Sequence, residues 1–256
     1  MTKVALITGS TSGIGLGIAQ EFAAKGYNLM FNGLEKNGPE IAQGVAQKYG
    51  VKTKFNGANM MKPDEIAALV KDTEDTFGHI DVIINCAGVQ FVSPVEDFPN
   101  ERWDLIIGVN LSSAFHTTKA AWKNMKARKF GRIINISSAH GLVASKGKSA
   151  YVASKHGITG LTKAIALEGA EFNITCNAIC PGYVRTPLVE GQIKDQAKLH
   201  GISEEEVINK IMLEQHAVKE FVSIESLAGM ALFLSSEEAK VITGASIPME
   251  GGWTAK

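Results

Sequence analysis

A tyrosine and a lysine stand four residues apart in the run Tyr151-Val152-Ala153-Ser154-Lys155, and Ser138 lies thirteen positions upstream. On a helix this spacing sets the phenol and the ammonium on one face, one turn apart. A free phenol, with a pKa of about 10, is a poor base at neutral pH. A cation beside it favours the phenolate and is expected to bring that pKa toward the working range. A serine hydroxyl arriving from another segment can hold a substrate oxygen. Together the three residues read as a proton-transfer device for interconverting an alcohol and a carbonyl. Tyr and Lys at this spacing are common on ordinary exposed helices, so the reading depends on the rest of the chain.

The N-terminal end supplies that context. Val4-Ala5-Leu6-Ile7-Thr8 is an apolar, strand-like run, followed at once by Gly9-Ser10-Thr11-Ser12-Gly13-Ile14-Gly15. Beyond it Ile18, Phe22 and Ala23 mark the apolar face of a helix, with Glu21 and Lys25 on the polar one. Strand, glycine-rich turn and helix in this order form the setting of a dinucleotide site. The glycines permit a tight turn and close approach to a pyrophosphate, and the helix N-terminus offers oriented N–H groups.

With both features present, the chain resembles the short-chain dehydrogenase/reductase family. Thr8, Gly9, Gly13 and Gly15 match its glycine turn; Asn85-Cys86-Ala87-Gly88, Asn110, Ser138, Tyr151, Lys155 and Pro181-Gly182 follow in the family's order across essentially all 256 residues. The resemblance implies a Rossmann-type fold and a relay of Ser138, Tyr151, Lys155 and Asn110. In it Tyr151 is the base, Lys155 lowers its pKa and binds the nicotinamide ribose, and Asn110 kinks its helix and holds a water leading from Lys155 to solvent. It also implies a cofactor lined by Gly9, Thr11, Ser12, Gly13, Ile14 and Gly15. Gly33 and Leu34 join after the second strand, Asn59 and Met60 against the adenine, and Cys86, Ala87 and Gly88 at the ribose. Tyr151, Lys155, Pro181, Gly182, Val184 and Thr186 complete that set.

The second strand runs into Asn32-Gly33-Leu34-Glu35-Lys36, with no Asp where many NAD-binding members hold the adenosine ribose. The positions where NADP binders place Arg or Lys are Ser12 and Gly33-Leu34, and Lys36 lies too far along the loop. NAD is therefore the expected cofactor. Asn59 stands where the family often has Asp, and its carbonyl can still accept from the adenine amino group, though less strongly than a carboxylate. Cys86 replaces the second Asn of the usual motif, and its backbone can still line the ribose.

A narrower resemblance, to the bacterial D-3-hydroxybutyrate dehydrogenases as a group, is carried by Ser137–Ser145, Lys148–Tyr151, Pro181–Val189 and Gly251-Gly252-Trp253-Thr254. It implies Gln90, His140, Lys148 and Gln192 around a substrate carboxylate, with Ser138 and Tyr151 at the reacting carbon and Trp253 closing the pocket. A four-carbon hydroxy acid offers little apolar surface, so its specificity must come from polar capture of the carboxylate. The alternatives are a 3-oxoacyl-acyl-carrier-protein reductase or another small-alcohol dehydrogenase of the family. Outside enzymes stands a dinucleotide-binding regulator, which would be expected to have lost Ser138, Tyr151 or Lys155.

These residues need a frame. Strand-like runs at Val4–Thr8, Asn28–Asn32, Val51–Asn56, Asp81–Asn85, Arg132–Ser137, Ile174–Ile179 and Ser246–Met249 alternate with helical patterns near 14–26, 38–49, 64–77, 101–128, 151–171 and 224–235. The expectation is one domain over 1–256, a doubly wound parallel sheet of about seven strands with helices on both faces. A charged, helix-favouring stretch over 186–216 interrupts the rhythm after Pro181-Gly182 and is expected to form a lid over the site. Lys+Arg and Asp+Glu number 26 each, which gives no reason to expect nucleic acid or an anionic membrane as a partner. No apolar stretch reaches the roughly 20 residues of a bilayer span. The first strand begins near residue 3, which leaves no room for a secretory signal, so the cytoplasm is expected. The three cysteines form no disulfide framework, because Cys176 and Cys180 sit roughly 13 Å apart on one strand. The six histidines lack zinc-site spacing, so no metal is expected. The family suggests a homotetramer with the helices near 101–128 and 151–171 at one dimer contact.

Overall fold

Seven short strands pair into one parallel sheet in the computed structural model, which describes residues 2–255. In chain order the strands are β1 (Val4–Ile7), β2 (Asn28–Asn32), β3 (Thr53–Asn56), β4 (Val82–Asn85), β5 (Gly131–Ile136), β6 (Ile174–Pro181) and β7 (Ser246–Met249). Their spatial order is β3-β2-β1-β4-β5-β6-β7. The helices are α1 (Gly13–Ala24), α2 (Gly38–Tyr49), α3 (Pro63–Phe77), α4 (Asn100–Ile107), α5 (Ser113–Arg128), α6 (Ser149–Gly169), α7 (Pro187–His200), α8 (Glu204–Val207) and α9 (Ile224–Leu234). β1, β4, β5 and β6 are buried at every position, as strands covered by helices on both faces must be. Ile18 and Phe22 of α1 and Leu227 and Leu234 of α9 pack on one face. Ile66 and Leu69 of α3, Met125 of α5 and Ile165 of α6 cover the other. No helix among the described residues is long and apolar enough to cross a membrane.

The winding reverses between β1 and β4, and in open α/β sheets the crevice beyond the strand ends at such a reversal is where ligands bind. The glycine turn after β1 and the Cys86-Ala87-Gly88 loop after β4 flank it. Two departures from the expected elements bear on the site. The helix expected over 101–128 is interrupted by a π-turn, Gly108–Ser112, which contains Asn110. Such a turn inserts one residue into the ladder and re-aims its neighbours, the local kink expected at Asn110. The 186–216 excursion forms α7, α8 and a second π-turn (Ile208–Met212), with a small core of Ile193, Val207 and Met212. Its base is pinned by a parallel bridge between Val184 and Val222.

Candidate active site

The glycine turn is shaped by contacts that admit no side chain. Gly9 has φ +62°, and a Cβ there would stand 2.8 Å from Ala87 Cα; one on Gly15 would stand 2.1 Å from the carbonyl oxygen of Gly9. Thr8 Oγ1 accepts from the backbone N–H groups of Cys86 and Ala87, both at 3.1 Å, joining the loops across the reversal. Gly13 differs. Its φ is +52°, and a Cβ would find only Thr186 Cγ2, at 3.8 Å. Space is therefore open above Gly13 at the N-terminus of α1, bounded by the N-cap Thr186 of α7. An open cradle of backbone N–H groups at a helix start fits a pyrophosphate.

The acidic group missing from the end of β2 stands three residues beyond it. Glu35 folds back over the turn and accepts hydrogen bonds from Thr11 Oγ1 and from Ser12 Oγ, the latter at 3.4 Å. Gly33 makes this possible, since a Cβ there would lie 2.1 Å from Thr11 Oγ1 and 2.6 Å from Glu35 Oε2. The Thr11 hydrogen bond holds the Glu35 carboxyl below its ordinary range, so it is ionised at neutral pH. Sequence reasoning passed over Glu35 because it sought an acid at the strand end itself; the signal was the run Gly33-Leu34-Glu35 just past it.

Further round the crevice the expected residues are arranged unevenly. Asn59 Oδ1 accepts from Met61 N at 2.9 Å, leaving one lone pair for an adenine amino group. The side chain of Met60 is buried in the core, so only its backbone can line a ligand. Val184 is buried too. Gly88 lies against the inner site, where a Cβ would be 3.5 Å from Asn110 Oδ1 and 3.9 Å from Lys155 Nζ. The Asn110 amide clamps the loop after β4: Oδ1 accepts from Val89 N at 2.8 Å and Nδ2 donates to Val89 O at 2.9 Å. It also donates to Ser154 Oγ at 3.2 Å, so both amide donors are used and Oδ1 keeps one lone pair.

Tyr151 and Lys155 lie on α6 as their spacing requires, with Lys155 Nζ 5.6 Å from the centre of the Tyr151 ring. Lys155 donates to Ile136 O at 2.8 Å. Their electrostatics differ from the sequence expectation. Burial pushes the Tyr151 phenol up from 10, while the Ser138 hydroxyl pulls it down and Tyr183 adds to the rise. Burial also brings Lys155 down to about 8, with Cys86 and Cys180 opposing. At about 8 Lys155 is still mostly an ammonium at pH 7, while burial keeps Tyr151 a neutral phenol; Ser138, not Lys155, is the group that pulls the phenol down in this state. Cys86 beside it is pushed up to about 12 by burial. All three cysteines are free.

Ser138 closes β5 into a tight 3-10 turn, Ala139–Gly141, and its Oγ accepts from His140 N at 3.1 Å. His140 Nδ1 lies 3.4 Å from the same oxygen and Nε2 lies 2.9 Å from Ser145 Oγ. Burial, with the nearby Lys148 charge, brings His140 down to about 4, so its ring is neutral at pH 7. A chain of rings extends from Tyr151: His140 is edge-on to it at 5.8 Å and to Trp253 at 5.1 Å. Trp253 stacks on Tyr183 at 6.3 Å with planes 5° apart. Glycines 251 and 252, at φ +65° and +79°, turn the chain to place Trp253. Lys148 Nζ stands 5.9 Å from the Tyr183 ring, and burial lowers its pKa. Among the described residues no carboxylate pairs with it. Gln90, after β4, and Gln192, on α7, are exposed and make no hydrogen bond to these groups among the described residues. Tyr183 and Ser145 had no assigned part in the sequence reading. Among the described residues no group of three or more His, Cys, Asp or Glu could hold a metal.

Residues 3–197 match the family model described as short chain dehydrogenase. The chain belongs to the short chain dehydrogenase family. It is 54% identical over 260 positions to the D-beta-hydroxybutyrate dehydrogenase of Rhizobium meliloti (strain 1021), covering 100% of each chain. It is 48% identical to the protein of that name from Cupriavidus necator, covering 99% of this chain and 98% of the other. Among solved structures, a single-substitution variant of actinorhodin polyketide ketoreductase with NADPH aligns with a TM-score of 0.93 and 31% identity, over 100% of this chain and 98% of that one.

Proposed function

We propose that this protein is an NAD-dependent dehydrogenase, a single catalytic domain that interconverts (R)-3-hydroxybutyrate and acetoacetate. The observation that carries the substrate class is Lys148. It is a partly desolvated ammonium, without a carboxylate partner among the described residues, three residues before Tyr151 on the wall that Tyr183, His140 and Trp253 complete. A half-buried cation so placed favours an anion on the substrate, and the two relatives named above act, by their names, on beta-hydroxybutyrate. Gln90 and Gln192 are assigned to the same carboxylate, with Gln192 brought in by movement of α7. A spectrophotometric assay at 340 nm with NAD and each enantiomer of 3-hydroxybutyrate, repeated with NADPH and acetoacetyl thioesters, tests this. Turnover confined to thioesters would overturn it in favour of an acyl-carrier-protein reductase.

NAD, when bound, supplies the hydride acceptor. Gly13 and the N-terminus of α1 are assigned to its pyrophosphate, Glu35 to the adenosine ribose hydroxyls, and Gly88 and Lys155 to the nicotinamide ribose. An ionised Glu35 over Thr11 and Ser12 accepts from hydroxyls and repels a 2′-phosphate, which favours NAD over NADP. The chain's own part is proton handling and exclusion of water. Tyr151 first releases its own proton to solvent; as the phenolate, stabilised by the Lys155 ammonium, its Oη then takes the substrate hydroxyl proton and returns to the phenol while Ser138 holds the oxygen. Because burial raises the resting Tyr151 phenol, its deprotonation is assigned to the ligand-occupied pocket, where the Lys155 ammonium stabilises the phenolate. Closure of α7 and α8 on their pinned base would exclude water.

A homotetramer suits the exposed Trp103 of α4, Phe115 of α5 and Leu167 of α6, each 42% or more accessible in the single chain. Light scattering would show a mass four times 27.4 kDa. A reducing, cytoplasmic setting suits three free thiols.

A further inference from the structure

We infer that His216 is a positioning residue that limits the length of the 3-hydroxy acid by bracing the aromatic wall of the pocket from behind. The inference rests on the reading of Tyr183 and Trp253 as a wall of that pocket. His216 ends the lid excursion and is only 1% exposed. Its ring centre lies 5.7 Å from that of Trp253 and 6.1 Å from that of Tyr183, so it backs both. His140 and Tyr151 pair with each other and with Trp253 instead, which leaves His216 one layer back from the reacting end. Two glycines make its seat: a Cβ on Gly182 would stand 2.7 Å from His216 Cε1, and one on Gly251 would stand 2.9 Å from Nδ1. The backbone is tied down on either side. His216 N donates to Leu213 O at 3.1 Å, and Ala217 N and Val218 N both donate to Gly251 O, at 2.7 and 2.8 Å. A ring so enclosed has nowhere to step back. Neither of its buried nitrogens has a hydrogen-bond partner among the described residues. Burial lowers the His216 pKa, with Lys219 adding to the fall and Glu250 opposing it, so the ring is uncharged at pH 7. His216 therefore acts by the space it fills. Tyr183 and Trp253, stacked in front of it with planes 5° apart, cannot recede to admit a longer acyl chain. Emptying the seat would give them a void to move into.

The test compares kcat/KM for 3-hydroxyhexanoate with that for 3-hydroxybutyrate, because a general loss of stability lowers both and leaves their ratio unmoved. The wild type is expected to favour the shorter acid. His216→Ala is expected to shift the ratio about tenfold toward the longer one, the worth of a methylene or two admitted to an apolar pocket. His216→Leu, which refills the seat with an apolar side chain of similar volume, is expected to keep the ratio within about twofold of wild type. Should His216→Ala not fold, His216→Asn removes part of the ring and is expected to shift the ratio the same way by a smaller factor. An unchanged ratio in the folded truncation overturns the proposal, as does a wild type that takes both acids equally well. So does His216→Leu shifting the ratio as far as the truncation. A wild type that turns over neither acid defeats the reading of the site itself. A wild type that oxidises 3-hydroxybutyrate, with no shift on truncation, defeats the bracing role of His216 alone.

Discussion

At the scale of single residues, three side chains carry the reading. Tyr151→Phe removes only the titrating oxygen and keeps the ring against His140, so turnover should vanish while NAD affinity stays near wild type; activity within tenfold of wild type would refute the base. Lys148→Ala should raise KM for 3-hydroxybutyrate by on the order of 2–5 kcal/mol, the cost of truncating one partner of a desolvated charge pair. The same change should cost little against a neutral alcohol such as 2-butanol. Glu35→Gln should reduce the preference for NAD over NADP by at least about tenfold in kcat/KM, roughly 1.4 kcal/mol. Tyr151, Lys155 and Ser138 were legible in the sequence because helical spacing and a strand end fix where they go. Glu35 was not, since its place depends on a side chain folding back through the gap left by Gly33. Nor was the raised Tyr151 pKa, which burial determines and spacing does not show.

At the scale of elements, the turn between β1 and α1 bears the tightest constraint. Gly15→Ala would drive a methyl to 2.1 Å from the Gly9 carbonyl oxygen, a backbone atom that cannot step aside alone. The expected result is a loss of about 1–3 kcal/mol, the usual cost of overpacking, and a large fall in NAD affinity. Urea melts and a cofactor titration would check both. The fold itself was readable to within a residue or two. β2, β7 and α2 have the expected bounds, because glycines stand at or just beyond their ends: Gly26 and Gly33, Gly244 and Gly251, Gly38 and Gly50. The break in 101–128 was foreseen only as a kink at Asn110, because the mostly weak helix formers of Gly108–Ser112 do not by themselves specify a π-turn. What makes it a π-turn is the pull of Val89 and Ser154 on the Asn110 amide, and such contacts are tertiary. The β3 strand starts at Thr53 where Val51 was expected, at a sheet edge with a pairing neighbour on one side only.

At the scale of the whole molecule, the buried neutral histidine couples stability to acidity. His140 titrates near 4 when folded, against 6.5 for a histidine free in water, so between those values the unfolded chain binds a proton that the folded one refuses. Stability therefore rises with pH through that window and falls as the solution is acidified across it. From about pH 6.5 to about pH 5 the loss from this one residue is on the order of 2 kcal/mol. His140→Gln should flatten the pH dependence of urea midpoints by about that amount, and an unchanged slope would show that the ring is not held neutral. The aromatic wall has one more consequence. Of the chain's three tryptophans, Trp103 and Trp122 lie on α4 and α5, while Trp253 alone stacks within the pocket. The protein thus carries its own optical gauge. Occupancy of the pocket alters the surroundings of one indole against a background of two, so ligand arrival can be timed in a stopped-flow fluorimeter without dye, label or turnover.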